Sequence, residues 1–285
     1  MLLAIYDQTP GDAIKALEAG ARALGMDVIY RRQQASNIVD RPHVGAVCGL
    51  KQVNSSLLAS CKAVGVPVLV VEWGHLLRSK GYHQVNINQL CWLPPVECPP
   101  DRFDALGLQR AKKMKRNRGE YVLVCGQTPG DAQHGMGWNE MIRWQQSTIL
   151  TIKSHTKRPV VFRPHPNIFN SLVSGGYVNP PEADRISNPN ETPLIDDIRG
   201  AFAMVTLNST SGQEALLEGV PVFCDPMAIY SGAANTDLAD IEHPKWRDTE
   251  DYFNRLAYTQ WTFEELRTGE PIQFLNRFIE VRHVG

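Results

Sequence analysis

The run Thr206-Leu207-Asn208-Ser209-Thr210-Ser211-Gly212-Gln213-Glu214-Ala215 gathers hydroxyl side chains where an apolar strand gives way to a helix. Such a junction aims backbone amides and Ser/Thr hydroxyls at one spot, with the positive end of the helix dipole behind them. It holds a phosphate without needing a Walker lysine. Ser209, Thr210, Ser211 and Gly212 would form the cradle, and Glu214, about one turn in, would reach a ribose hydroxyl. The same letters also spell a simple capping box, with Ser211 as N-cap and Glu214 at the third helical position. Arg163-Pro164-His165-Pro166 follows a second apolar strand. There Arg163 offers a two-pronged donor and His165 a single one, while the two prolines stiffen the loop and limit the entropy lost on binding. Together the motifs describe a pocket for a nucleotide monophosphate or diphosphate.

A second set lies nearer the N-terminus. Glu72 and His75 flank Trp73-Gly74 at the carboxyl end of the apolar run Val66–Val71. Either suits a general base that takes a proton from an acceptor hydroxyl. Arg78 would keep Glu72 ionised or meet an anionic substrate, and the group reads equally as a salt-bridge and capping cluster at a helix start. Asp7, Gln8 and Gln127 border the same expected site. Gly126 and the residues to Ala132 either lend amides to the ligand or make a plain tight turn.

Strand ends must deliver these residues, and the chain shows where they are. Gln-Thr-Pro-Gly-Asp-Ala occurs twice, at Gln8–Ala13 and Gln127–Ala132, 119 residues apart. Each copy follows a short apolar run, Met1–Tyr6 or Tyr121–Cys125, which reads as a buried parallel strand entering a turn. Asp12 and Asp131 then stand where helix N-caps belong. The apolar runs are continuous rather than alternating, as in parallel sheets covered on both faces. The expected organisation is a Rossmann-like domain over residues 1–110, a second over 119–258 and a helical extension over 259–285. Ligands would bind outside the strand ends, in a cleft between the two domains.

Composition narrows the function. With a net charge of −1, no global attraction to nucleic acid or membrane exists. The local exception is Arg110, Lys112, Lys113, Lys115, Arg116 and Arg118, which read as a solvated linker or as a patch for phosphates or an anionic acceptor. The six cysteines lack CxxC spacing, and several lie in apolar runs, which argues against zinc or a disulfide framework and for a reducing cytoplasm. No run reaches the ~18 apolar residues of a membrane span.

Taken in order, these motifs resemble the bacterial capsule-synthesis Kdo-transferase family, which has the two-Rossmann-domain GT-B glycosyltransferase fold. The resemblance runs from Glu72-Trp73-Gly74-His75-Leu76-Leu77-Arg78-Ser79 through Val122–Gln127, Gly130-Asp131-Ala132, Arg163-Pro164-His165-Pro166 and Ser209–Val222, with a looser match to Asp237 around Tyr230. It implies a metal-independent α/β transferase with a nucleotide-sugar donor, CMP- or UDP-linked, in the second half, and the acceptor against the first. His165, Ser209, Thr210 and Glu214 would be donor residues. The family's acidic catalytic position is Trp73 here, so the base falls to Glu72, His75 or Asp7. The acceptor is a capsule-like glycan or a hydroxymethyl-pyrimidine in phage DNA. A nucleotide-sugar epimerase and a non-catalytic nucleotide- or carbohydrate-binding protein remain as alternatives.

Overall fold

The computed structural model describes residues 1–7, 10–32, 38, 42–50, 52–115, 119–172, 180 and 182–279. The chain forms two compact units, one of Met1–Leu106 with Asn254–Gly285 and one of Gly107–Phe253. Gln8, Arg116 and Arg118 lie outside the described residues.

In chain order the first unit contains β1 (Leu2–Tyr6), α1 (Asp12–Ala23), β2 (Asp27–Arg31), β3 (Val44–Cys48), α2 (Gln52–Ala63), β4 (Val68–Trp73), β5 (His83–Ile87) and α3 (Asp101–Ala105). The second contains β6 (Tyr121–Cys125), α4 (Trp138–His155), β7 (Val160–Arg163), α5 (Pro166–Leu172), β8 (Arg185–Ile186), α6 (Leu194–Gly200), β9 (Ala201–Thr206), α7 (Ser211–Leu217) and β10 (Val222–Phe223). Helix α8 (Glu250–Ala257) leads back to the first unit, which β11 (Gln260–Trp261), α9 (Phe263–Thr268) and α10 (Glu270–Ile279) complete.

The first sheet has the order β11-β5-β4-β3-β1-β2. Strands β1 to β4 are parallel, whereas β5 and β11 are antiparallel to their neighbours. The antiparallel pair departs from the all-parallel expectation, because the short link from Trp73 to His83 leaves no room for a crossover helix. Alternate residues of β1 serve opposite faces. Leu3 and Ile5 pack with α1, α9 and α10, while Ala4 and Tyr6 pack with Leu57 and Cys61 of α2. Helix α1 buries Ala13, Ile14, Ala16, Leu17, Gly20 and Ala21, a stripe of helical spacing. Gly20 lets α9 approach closely, since a β-carbon there would stand 2.1 Å from the Leu266 carbonyl oxygen. The C-terminal helices are thus part of the first unit's core.

The second sheet is all parallel, in the order β10-β9-β6-β7-β8. Every residue of the inner strand β9 is buried, which explains why its sequence shows no alternation. Val122, Val124, Phe162, Ala203 and Val205 form one core with Ile149 and Ile152 of α4.

The two hexapeptide copies do not do the same thing. In the first, Gly11 is the N-cap and Asp12 is already helical, with no side-chain cap bond. In the second no helix starts at Asp131. Its Oδ1 accepts the Gln133 amide in a local turn, beside Gly130 at φ 79°. Helix α4 begins only after Gly137, whose amide donates to Glu140 Oε2 at 2.8 Å. The expected N-caps at Asp12 and Asp131 are therefore replaced by glycine caps.

All six cysteines are free thiols, and Cys61, Cys98, Cys125 and Cys224 are buried as core residues. Among the described residues no helix is long and apolar enough to cross a membrane.

Candidate active site

Three strand ends of the second unit lie side by side. Thr206 of β9 is in register with Cys125 of β6, and Cys125 with Arg163 of β7. The loops that follow carry most of the expected donor residues.

Gln127 ties two of these loops together. Its Nε2 donates to Asn208 Oδ1 at 2.7 Å, and its Oε1 accepts the Asn208 amide at 2.9 Å. Asn208 Nδ2 in turn donates to the Gln133 carbonyl at 3.2 Å. The Gln127 side chain is buried, so these bonds form in low dielectric and define where the hydroxyl loop begins. Gly126 precedes it where a β-carbon would stand 2.9 Å from the Phe162 ring.

In the hydroxyl loop Ser211 Oγ donates to Ser209 Oγ at 2.9 Å, and the Tyr230 hydroxyl donates to the Ser209 carbonyl at 2.7 Å. Tyr230 is fully buried against Gly212, where a β-carbon would lie 2.6 Å from the phenol ring. The capping-box alternative does not hold. Thr210 is the N-cap, without a side-chain cap bond, and Ser211 is a buried residue of α7 itself.

Arg163 departs from the expected open anion fork. Its Nη1 pairs with Asp197 Oδ2 of α6 at 2.6 Å, donates to the Thr192 carbonyl at 2.8 Å and lies 3.3 Å from Ser187 Oγ. Ser187 also donates to Asp197. Both members of the ion pair are buried, and a buried guanidinium requires such partners. Arg163 acts on the site as a charge: it opposes the upward shift that burial imposes on the Glu214 carboxyl and on the Cys125 thiol, the latter pushed up to about 12. Glu214 lies in the first turn of α7 and is exposed. Asp197 itself escaped the sequence reading, since its partner Arg163 lies 34 residues away along the chain.

His165 is half-buried. Its Nδ1 accepts the Asn167 amide at 3.2 Å and its carbonyl accepts the amides of Ile168 and Phe169, so it opens α5. With Nδ1 as acceptor, the neutral ring carries its proton on Nε2, a tautomer inferred from the bond.

In the first unit, Glu72 is the penultimate residue of β4, its Oε1 accepting the Trp73 amide at 2.9 Å. Trp73 is 47% exposed, stacks on His83 at 4.8 Å and has the Arg78 guanidinium 5.4 Å from its ring. Arg78 therefore meets the indole at the position where an ion pair with Glu72 is expected. Gln84 Nε2 donates to the Trp73 carbonyl at 3.0 Å, and Gln260 Oε1 accepts the Leu76 amide at 3.1 Å. The returning C-terminal segment thus props this loop, a support that no local signal announces. His75 has its Nε2 sealed from solvent, and burial pushes its pKa down to about 4. Asp7 follows β1, and β3 lies between β1 and β4, which separates the Asp7 and Glu72 backbones by roughly 10 Å.

Of the basic run, Arg110 pairs with Glu250 at 2.6 Å, and the amides of Ala111 and Lys115 donate to the Leu217 and Gly219 carbonyls. This stretch is docked against the end of α7.

The capsule polysaccharide biosynthesis protein family matches residues 103–258. Two capsule polysaccharide modification proteins, LipA of Neisseria meningitidis serogroups A and B, are each 28% identical over 127 residues. That match covers 42% of this chain and only 17% of theirs, so the chain spans a small part of the length of these relatives. Two solved structures of KpsC from Thermosulfurimonas dismutans share the fold. The β-Kdo 2,4 transferase is 14% identical with a TM-score of 0.52, covering 90% of this chain and 98% of that one. The β-Kdo 2,7 transferase is 16% identical with a TM-score of 0.53, covering 96% and 99%. The two Rossmann-like units are those of the GT-B class, and the chain belongs to the capsule polysaccharide biosynthesis protein family.

Proposed function

We propose that this chain transfers a sugar from a nucleotide-activated donor, CMP- or UDP-linked, to a hydroxyl of a glycan. The observation that carries the reading is the Gln127–Asn208 bridge, which fixes the Ser209–Ser211 hydroxyls beside the ends of β6 and β9. In this reading the hydroxyls of Ser209 and Thr210 and the Nε2–H of His165 stabilise the phosphate as the sugar–phosphate bond breaks. Preorganised donors supply this electrostatic stabilisation without a metal ion. Arg163 contributes its charge from behind and takes no direct phosphate contact. Glu214 takes a ribose hydroxyl.

Glu72 is assigned as the base that deprotonates the acceptor. His75 is a poorer candidate, because burial leaves it weakly basic and seals its Nε2. Family membership favours a glycan acceptor over a hydroxymethyl-pyrimidine in DNA. DNA held by the basic run would be released steeply by salt, which separates the two.

The test is thermal unfolding with CMP, CDP, UDP, GDP and ADP. A nucleotide at ~100 times its Kd adds roughly 2.7 kcal/mol of stability. One of the five should stabilise the protein, the shift should survive EDTA, and His165→Ala and Glu214→Gln should each weaken it. No shift with any nucleotide would remove the donor site and the transferase reading with it.

A further inference from the structure

A cavity of about 170 Å³ opens in the second unit between α4 and the carboxyl ends of β9 and β10. Trp144, Thr148, Thr206, Cys224, Asp225 and Thr236 line it with apolar neighbours. None of the residues assigned to the phosphate loop is among them. Its size falls below the roughly 300–1,000 Å³ of pockets that enclose drug-sized ligands, so it suits one small ring.

Its chemistry is specific. Thr148 is only 8% exposed, and its hydroxyl makes no protein hydrogen bond among the described residues. The hydroxyl opens into the cavity, where water or a ligand can bond to it. Asp225 accepts the Met227 amide at 2.8 Å through Oδ1. Its second carboxylate oxygen has no protein donor among the described residues. Trp144 adds an aromatic wall, apolar on its face. Among the described residues no lysine, arginine or histidine lines the cavity, so a phosphate or an acidic sugar would meet Asp225 with no counter-charge from them.

We propose that this cavity binds one neutral sugar unit, whose ring hydroxyls bond to Asp225 and Thr148 and whose apolar face lies against Trp144. A polyol fits because its hydroxyls can donate to the carboxylate and also exchange bonds with a threonine. The ring's C–H surface needs an apolar partner, which the indole supplies. Thr206 lines the cavity and also lies 3.5 Å from Gln127 Oε1, so the site adjoins the hydroxyl loop. The inference stands on the cavity alone and does not require the phosphate assignment above.

Saturation-transfer NMR on the full chain tests it, with glucose, galactose, N-acetylglucosamine, UDP-glucose, UDP alone and Kdo as the acidic control. Asp225→Asn, which retains Oδ1 for the Met227 amide, and the near-isosteric Thr148→Val are compared with the wild type, with Tm checked for each. Neutral sugar contacts should appear and weaken about tenfold in either variant, as loss of one hydrogen bond implies. Contacts from UDP-glucose alone would make the pocket the donor's sugar site, and contacts from the free sugars would make it a site for a glycan unit. Either supports the proposal, as does neutral sugar binding with no binding of UDP, which would sink only the donor reading. Failure of every neutral sugar to bind, undiminished binding in both folded variants, or equal binding of Kdo would overturn it.

Discussion

Gln127 and Asn208 exchange two hydrogen bonds, side chain to side chain at 2.7 Å and backbone amide to side chain at 2.9 Å. A residue of the repeated hexapeptide thereby sets the position of a loop 81 residues further along the chain. Gln127→Ala leaves the part-buried Asn208 groups short of partners at a cost of roughly 1 kcal/mol. Each kcal/mol lowers Tm by roughly 2–4 °C in a protein of this size range. The variant should therefore melt several degrees lower and bind the stabilising nucleotide more weakly. Unchanged nucleotide affinity would show that the bridge does not organise the donor site.

The buried pair Arg163–Asp197 makes a sharper distinction. Asp197→Ala strands a guanidinium in the interior, at a cost of about 3–5 kcal/mol, whereas replacing both partners with apolar residues is far milder. Arg163→Met with Asp197→Leu should recover most of the stability lost in the single variant, measured by urea unfolding. If Arg163 acts only as a distant charge, the double variant still binds nucleotide, with affinity reduced by less than about tenfold. Complete loss of binding in a folded double variant would restore Arg163 as a direct phosphate ligand.

Gly212 and Tyr230 set a steric limit. A β-carbon at Gly212 would stand 2.6 Å from the Tyr230 ring, so Gly212→Ala should destabilise by about 1–3 kcal/mol through overpacking. Tyr230→Leu in the same chain should return part of that loss, since it removes the ring that clashes. Additive losses in the two single variants and the double would argue against the contact.

His75 predicts an acid-side weakness. In the folded protein it stays neutral down to about pH 4, whereas an unfolded histidine takes a proton near pH 6.5. Between those values the unfolded chain binds more protons, so stability falls as pH drops through the window. His83 is shifted the same way by burial and adds to the slope. Chemical denaturation from pH 7.5 to 5 should show this decline, and His75→Gln should flatten it. An identical slope in the variant would place the cause elsewhere.

Continuous apolar runs such as Tyr121–Cys125 and Ala203–Leu207 were enough to identify parallel, doubly covered strands, because burial on both faces removes any alternation. The hydroxyl loop, the Arg163–His165 turn and Gln127 were legible for the same local reason: strand ends followed by turn residues place side chains near one another. The partners of those side chains were not. Asp197, which turns Arg163 inward, and Gln260, which holds the Glu72–Leu76 loop, come from distant segments. So does the cavity between Trp144 and Asp225, which exists only once α4 packs on the sheet. The matching Pro10–Ala13 and Pro129–Ala132 stretches adopt different structures, a helix start after Gly11 and a local turn at Asp131. By itself the sequence determined the apolar parallel strands, though not β5, β8 or β11, and the residue types at their ends. Only the tertiary structure decided which of those residues are spent on buried partners, because a buried charge or hydroxyl must be satisfied by whatever the fold brings beside it.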